Sequence, residues 1–428
     1  MNVPSFLRRI FGGGGGEDAT RELAQLCDAL LAESGEYAST ALAREAVAKW
    51  RSLEENAREL FFDVLAGYSP PAEKLKAAAA AYLAAPSTEN LIALQQASES
   101  PRRELFDRLN MAPGGTAALV EMRRILLAKV KARPEWRAID YDLRRRLRSW
   151  FNRGFLRLER IDWHTPSIVL EKLIEYEAVH AVQGWPDLRR RLEADRRCYA
   201  FFHPQLPDEP IIFIEVALTR GMSARVQPLL DVRAPVGDPA KADCAMFYSI
   251  TNCQEGLRGI SFGNQLIKQV AEDLEREFPH LRRFATLSPI PGLRGWLQKN
   301  AAPELLARIA EPAWHLGEVP EALEKELLRL CAYYLLSAKQ DEEPLDPVAR
   351  FHLGNGAVLE RLNWMGDISE NGIQRSAGLM VNYIYWLNEL ERNHERYWRE
   401  SVIAASPQVE KLARECVLAP AAEKGAAA

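Results

Sequence analysis

The sequence predicts an α+β multidomain protein, with an N-terminal all-α helical bundle followed by a mixed α/β domain. Three observations carry this expectation. Apolar residues recur at helical spacing from Glu17 to about Trp150. After Trp163, short apolar runs rich in β-branched residues alternate with helical patterns. The chain has 428 residues, of which 47% are hydrophobic, and a length of this order divides into domains of about 100–200 residues with their own cores.

Residues 1–16, ending in the glycines Gly12 to Gly16, read as a flexible leader. The helical region is expected over 17–152. Leu23, Leu26, Cys27, Leu30 and Leu31 form one buried stripe, and Leu53, Ala57, Leu60, Phe61 and Val64 form another. Breaks at Gly67–Pro71, Pro86–Ser87 and Pro113–Gly115, with Ser87 and Thr116 as candidate N-caps, divide it into five or six helices. The basic run Arg144, Arg145, Arg146 and Arg148 reads as a solvated helix face. No catalytic pattern stands out before residue 150, so this region is expected to serve as an oligomerisation or lid domain.

The second domain is expected over 153–428. Pro210–Leu218 and Ala245–Ile250 suit buried strands, joined by a loop that includes Arg233–Lys241. A glycine-bearing turn then leads into a helix whose buried stripe is Leu266, Ile267, Val270, Leu274 and Phe278, ending near Pro279. Such a turn points unpaired backbone N–H groups and the positive end of the helix dipole outward, as an anion site requires. An ordinary connection between strand and helix has the same appearance.

Composition narrows the function classes. A formal net charge of −4 supplies no overall attraction for nucleic acid. The six cysteines are dispersed with no CxxC and no Cys/His cluster at ligand spacing, so neither a zinc site nor a disulfide framework is expected. The first residues lack a signal-peptide core and no run approaches the roughly 18 apolar residues of a membrane span. A reducing cytoplasm is the expected compartment, and EKGAAA at the carboxyl end reads as a frayed tail.

Two side chains are candidates for chemistry. Phe284–Ser288 reads as a short strand with Phe284, Thr286 and Ser288 on one side. Pro289 keeps Ser288 out of the α region, which holds the hydroxyl at a strand's carboxyl end, where ligands of α/β sheets bind. The plain alternative is a serine shaping a turn. His352 precedes the Gly354-Asn355-Gly356 reversal, and a strand pattern follows over 357–364. An imidazole with an ordinary pKa near 6.5 suits proton transfer at neutral pH. A structural histidine beside a turn is the plain alternative.

The pattern Arg258-x-x-Ser261-x-Gly263 resembles the Gln/Arg-x-x-Gly-x-Gly/Ala signature of the GNAT N-acetyltransferase superfamily, with Ser261 where that signature prefers glycine. Two longer strings narrow the likeness. FYSITNCQEGLRGISFGNQLIKQVAEDLEREFPHLRRFATLSPIPGLRGWL, from Phe247 to Leu297, and FHLGNGAVLERLNWMGDISENGIQRSAGLMVNYIYWL, from Phe351 to Leu387, resemble the malonyl-CoA decarboxylase family. The segment Gly154–Val182 extends the likeness upstream.

The resemblance implies a GNAT-like acyl-CoA-binding domain behind the helical one, and decarboxylation of malonyl-CoA to acetyl-CoA without a metal or other cofactor. It implies that Arg258, Gly259, Ile260, Ser261, Phe262, Gly263 and Asn264 cradle the CoA pyrophosphate, that Ser288 contacts the malonyl group, and that His352 donates the proton. Asn355 and Tyr385 are second-tier substrate-binding candidates, with core packing the alternative for Tyr385, which falls in the run Tyr383–Trp386. Lys172 matches a family lysine but reads as a solvated helix residue. Arg189, Arg190, Arg196 and Arg197 are candidates for a nucleotide phosphate or, more plainly, a wet surface. The expected partners are malonyl-CoA and further copies of this chain through the helical domain, with no nucleic acid and no membrane. The competing functions are a GNAT-type acyl-CoA transferase and a non-catalytic acyl-CoA-binding sensor.

Overall fold

The computed structural model describes residues 15–260 and 266–418. The tail and most of the leader lie outside these residues, as do Ser261, Phe262, Gly263 and Asn264. The chain divides into two compact units. One takes in the chain through residue 157 together with 202–210 and 254–262, and the other takes in the rest.

The first unit has eight α-helices among the described residues: α1 (Gly15–Ala32), α2 (Glu36–Ser52), α3 (Glu55–Gly67), α4 (Ala72–Ala84), α5 (Thr88–Ser98), α6 (Pro101–Met111), α7 (Gly115–Lys129) and α8 (Arg137–Trp150). Five or six were expected. The connection between α2 and α3 is Leu53-Glu54, with no glycine or proline to mark it in the sequence. The first helix also begins inside the glycine leader, at Gly15. Both predicted stripes face the core, where Leu23, Cys27, Phe61 and Val64 pack with Trp50, Phe62 and Trp136.

Ser87 caps α5 as expected, accepting the Asn90 N–H at 3.2 Å. Thr116 does not cap α7. Gly114, at φ +73°, takes the cap position, and the Thr116 hydroxyl donates to Asn110 Oδ1 at 2.8 Å. The basic run lies on α8, where Arg144, Arg145 and Arg148 are exposed. The α4/α5 hairpin buries none of its residues within the chain and leaves Leu83 80% and Ile92 47% exposed.

Among the described residues the mixed sheet has eight strands: β1 (Arg157–Ile161), β2 (Arg196–His203), β3 (Leu206–Thr219), β4 (Cys244–Asn252), β5 (Arg283–Thr286), β6 (Ser288–Pro289), β7 (Val358–Asn363) and β8 (Met380–Ile384). Their order is β1-β2-β3-β4-β5-β8-β6, with β7 on the other edge of β8. β3 and β4 are antiparallel, with a register shift at Glu215/Val216, whereas β4 and β5 are parallel. Helix α9 (Leu266–Glu277) supplies the crossover between that parallel pair and buries Leu266, Ile267, Val270 and Leu274, as its periodicity predicts. This is a mixed α/β domain behind a helical region, the architecture that the sequence predicts.

The arginine run is not a wet surface. Arg190 forms two hydrogen bonds to Asp195, at 2.7 and 3.0 Å, and Arg191 pairs with Asp187 at 2.9 Å and Glu215 at 2.8 Å. Arg196 contacts Asp195 at 2.9 Å and Arg197 contacts Glu277 at 2.6 Å. These four guanidinium groups are buried and engaged, as buried charge requires, so they are occupied rather than waiting for a phosphate. Of Arg189, Arg190, Arg196 and Arg197, Arg189 alone is exposed, 5.4 Å from the Trp163 ring centroid. Among the described residues no helix is long and apolar enough to cross a membrane.

Candidate active site

Ser288 begins the two-residue strand β6, which pairs with β8 through Val381↔Ser288 and Met380↔Pro289. The expected single strand 284–288 is interrupted at Leu287, whose N–H turns to the Phe247 carbonyl at 2.9 Å. The alternation survives the break. Thr286 and Ser288 lie on the same side, and Ser288 Oγ donates to Thr286 Oγ1 at 2.8 Å.

His352 stands on a helix rather than at the chain reversal that the sequence suggested. This helix, α10, spans Pro347–Gly354. Asp346 is its N-cap and accepts the Val348 and Ala349 N–H groups at 2.9 and 3.0 Å, with Pro347 in the first turn. An Asp-Pro start is a legible helix signal, and it could have placed His352 correctly. Asp346 is fully buried, and burial raises its pKa against the opposing effect of those N–H groups. Gly292 leaves room beside it, since a Cβ there would lie 2.1 Å from Tyr334 Oη.

The two candidates meet across 64 residues: His352 Nε2 lies 3.0 Å from Ser288 Oγ. On the other side of the ring, Nδ1 lies 2.7 Å from Tyr385 Oη. The Tyr383 ring stacks on the imidazole, with centroids 4.6 Å apart and planes 24° apart. Ser288, His352, Tyr383 and Tyr385 are all buried. His352 therefore departs from the expected titration near neutrality, because burial pushes it down to about 3 and leaves the ring neutral. Burial pushes the phenols of Tyr383 and Tyr385 well up.

Tyr385 is thus both a core residue and part of the network, acting on His352. Asn355 is not joined to it. Its backbone caps α10 and its side-chain amide donates to the Phe351 carbonyl at 2.5 Å. Lys172 lies on the helix Ser167–Tyr176 with its ammonium 5.5 Å from the Tyr176 ring centroid. Thr286, Asp346 and Tyr383 were not singled out from sequence. Thr286 was legible through its shared strand face with Ser288.

A cavity of about 190 Å³ is lined by Pro289, next in sequence to Ser288, but by neither Ser288 nor His352. Pro289–Pro291 continue from Ser288 into its wall, Val348 lies one helical turn before His352, and His180, Asp367 and Arg375 supply polar lining. Burial lowers His180 to about 4. Among the described residues, no group of three or more His, Cys, Asp or Glu side chains is arranged to hold a metal ion.

The visible start of the glycine turn belongs to the helical unit. Gly256 approaches α7 so closely that a Cβ would lie 2.0 Å from the Val120 carbonyl oxygen. Arg123 Nη1 donates to the carbonyls of Gly256 and Arg258, at 2.6 and 2.9 Å, while its Nε pairs with Asp140 at 2.9 Å. Arg258 and Gly259 are exposed and Ile260 is buried. Gly259 has φ +76°, and the nearest atoms to its would-be Cβ belong to the Arg144 guanidinium, at 3.9 Å.

A mixed α/β domain with a buried, neutral Ser-His-Tyr relay is suited to proton transfer. The comparisons give this class a family. The malonyl-CoA decarboxylase N-terminal and C-terminal domain families match residues 68–151 and 154–424. The chain belongs to the malonyl-CoA decarboxylase family. It is 39% identical over 347 residues to the mitochondrial malonyl-CoA decarboxylase of Anser anser anser, covering 72% of this chain and 69% of that one. The Rattus norvegicus protein of the same name is 38% identical over 346 residues, covering 72% and 70%. The crystal structure of malonyl-CoA decarboxylase from Rhodopseudomonas palustris superposes with a TM-score of 0.87 at 47% identity, covering 92% of this chain and 99% of that one. The Agrobacterium vitis structure gives 0.85 at 46% identity, covering 91% and 99%.

Proposed function

We propose that this protein decarboxylates malonyl-CoA to acetyl-CoA and CO2, with Ser288 and His352 acting on the malonyl group. The observation that carries the reading is the Ser288–His352 contact of 3.0 Å between two buried side chains. Loss of CO2 leaves the electron pair of the broken C–C bond on the α-carbon, and the thioester carbonyl takes it up as an enolate. The substrate is its own electron sink, so the reaction needs no cofactor. The α-carbon then takes one proton, and that proton is consumed in each turnover.

The protein's tasks are to orient and to protonate. Ser288 contacts the malonyl group, and His352 delivers the proton through Nε2. The ring is neutral before substrate arrives. A bound carboxylate places negative charge beside it and raises its proton affinity, so substrate binding loads the proton that catalysis spends. Arg258 to Asn264 hold the CoA pyrophosphate through backbone N–H groups.

The test is direct. Purified protein with malonyl-CoA should release CO2 and acetyl-CoA in equal amounts, unaffected by chelators. Ser288→Ala and His352→Gln should lower kcat by about 10²–10⁴-fold, the usual worth of a positioned acid. Folded variants as fast as the parent would sink the site assignment. An amide product formed in the presence of amines identifies the transferase alternative, and CoA affinity without turnover identifies the sensor.

The bare α4/α5 hairpin, with exposed Leu83 and Ile92, supports self-association through the helical domain, since apolar side chains without a partner in the chain mark contact surfaces. Among the described residues no disulfide joins the six dispersed cysteines, which supports a reducing cytoplasm as the compartment, while the two animal relatives are named as mitochondrial.

A further inference from the structure

We infer that Thr286 is a positioning residue that sets which nitrogen of His352 carries the proton. The inference rests on the proposed roles of Ser288 and His352.

A serine hydroxyl has one hydrogen, and here Ser288 Oγ gives it to Thr286 Oγ1 at 2.8 Å. The same Ser288 oxygen lies 3.0 Å from His352 Nε2. With its hydrogen committed to Thr286, Ser288 can only accept from His352, so the imidazole hydrogen sits on Nε2. Nδ1 is then the acceptor, and the Tyr385 hydroxyl at 2.7 Å donates to it. The order runs in one direction: Tyr385 O–H to Nδ1, Nε2–H to Ser288, Ser288 O–H to Thr286. In this order every hydrogen along the path meets an acceptor lone pair.

Thr286 is held where this role requires. It is fully buried near the centre of the sheet, paired with Phe247 of β4. Its carbonyl accepts from Asn382 Nδ2 at 2.7 Å, and its Oγ1 also accepts the Tyr383 N–H at 3.2 Å. The second donor occupies another lone pair and fixes the hydroxyl oxygen in place. In this tautomer Nε2–H is in place before substrate arrives and the proton that binding loads enters at Nδ1, whereas the other tautomer turns a bare Nε2 lone pair toward Ser288.

Two measurements test the inference. In ¹⁵N-histidine-labelled parent protein at pH 7, the His352 resonances should report a protonated Nε2 and an unprotonated Nδ1, and the opposite tautomer overturns the proposal without any variant. Thr286→Val keeps the shape and removes the acceptor. It should lower kcat about tenfold or more with KM within about threefold, and shift the His352 ¹⁵N pattern toward a tautomer mixture. Thr286→Ser should restore both. A Thr286→Val variant with parental kcat and tautomer overturns the proposal, and so does a Thr286→Ser variant that remains as slow as Thr286→Val. If Ser288→Ala and His352→Gln also turn over normally, the failure belongs to the site reading; if those two are inactive, it belongs to Thr286 alone.

Discussion

His352 Nδ1 takes its hydrogen bond from the Tyr385 phenol, 2.7 Å away, where acid–base histidines are more familiar with a carboxylate. A carboxylate would hold a charged imidazolium in place. A phenol keeps the ring neutral until a charge arrives from outside, and the malonyl carboxylate is such a charge.

The two tyrosines around the ring should separate cleanly. Tyr385→Phe removes the donor to Nδ1 and is expected to lower kcat about tenfold, a fraction of the full worth of an acid. Tyr383 stacks on the ring, but its buried hydroxyl has no partner among the described residues. Tyr383→Phe should leave kcat within about twofold and stability unchanged or slightly higher, because an unpaired buried hydroxyl is removed. Steady-state kinetics and thermal melts of the two variants decide this.

Substrate binding should draw a proton from solution. In weakly buffered solution near pH 7.5, a malonyl-CoA analogue that cannot lose CO2 should raise the pH as it binds, by up to one proton per site, and acetyl-CoA should not. Equal signals from the two ligands would show that the carboxylate is not what loads His352.

Stability should depend on His352 with a defined sign. Unfolded, the ring titrates near 6.5; folded, burial holds it near 3. Below pH 6.5 the unfolded chain binds the extra proton, so stability falls as the pH drops from about 6.5 toward 3, and nothing is lost above that window. At pH 5 the difference is about 2 kcal/mol for this one group. His352→Gln should flatten that part of the slope between pH 6.5 and 5 in denaturant titrations.

Arg144 should matter to CoA although it lies in the helical unit. Its guanidinium is the nearest group to the open face of Gly259. Arg144→Glu should raise KM for malonyl-CoA about fivefold or more at low salt, with a smaller effect as salt screens the charge. A KM unchanged at both salt concentrations refutes a role in phosphate attraction.

The α4/α5 hairpin offers the test of assembly. Leu83→Glu combined with Ile92→Glu should reduce the mass seen by light scattering without lowering the melting temperature measured at low concentration, since neither side chain is buried within the chain. An unchanged mass places self-association elsewhere.

Much of this was legible in the residues. The stripe Leu266, Ile267, Val270, Leu274 is a helix because period 3.6 aligns those side chains on one buried face. The apolar runs around Phe213 and Phe247 are strands because β-branched and aromatic residues suit a doubly covered sheet. Ser288 shares a side with Thr286 because strand side chains alternate. The sequence misled where local signals were silent or ambiguous, as at Leu53-Glu54, and where a charge run such as Arg190-Arg191 can be either wet or buried.

By itself, then, the sequence determined the order of helix and strand, the family, and the two side chains proposed for the candidate site, because short-range periodicity and motif spacing survive in one dimension. Only the tertiary structure decided what His352 is. Its partners lie 64 and 33 residues away, and its neutrality comes from burial by elements that no local pattern brings together. A pKa is set by solvent and neighbours in space, and the chain has to fold before either exists.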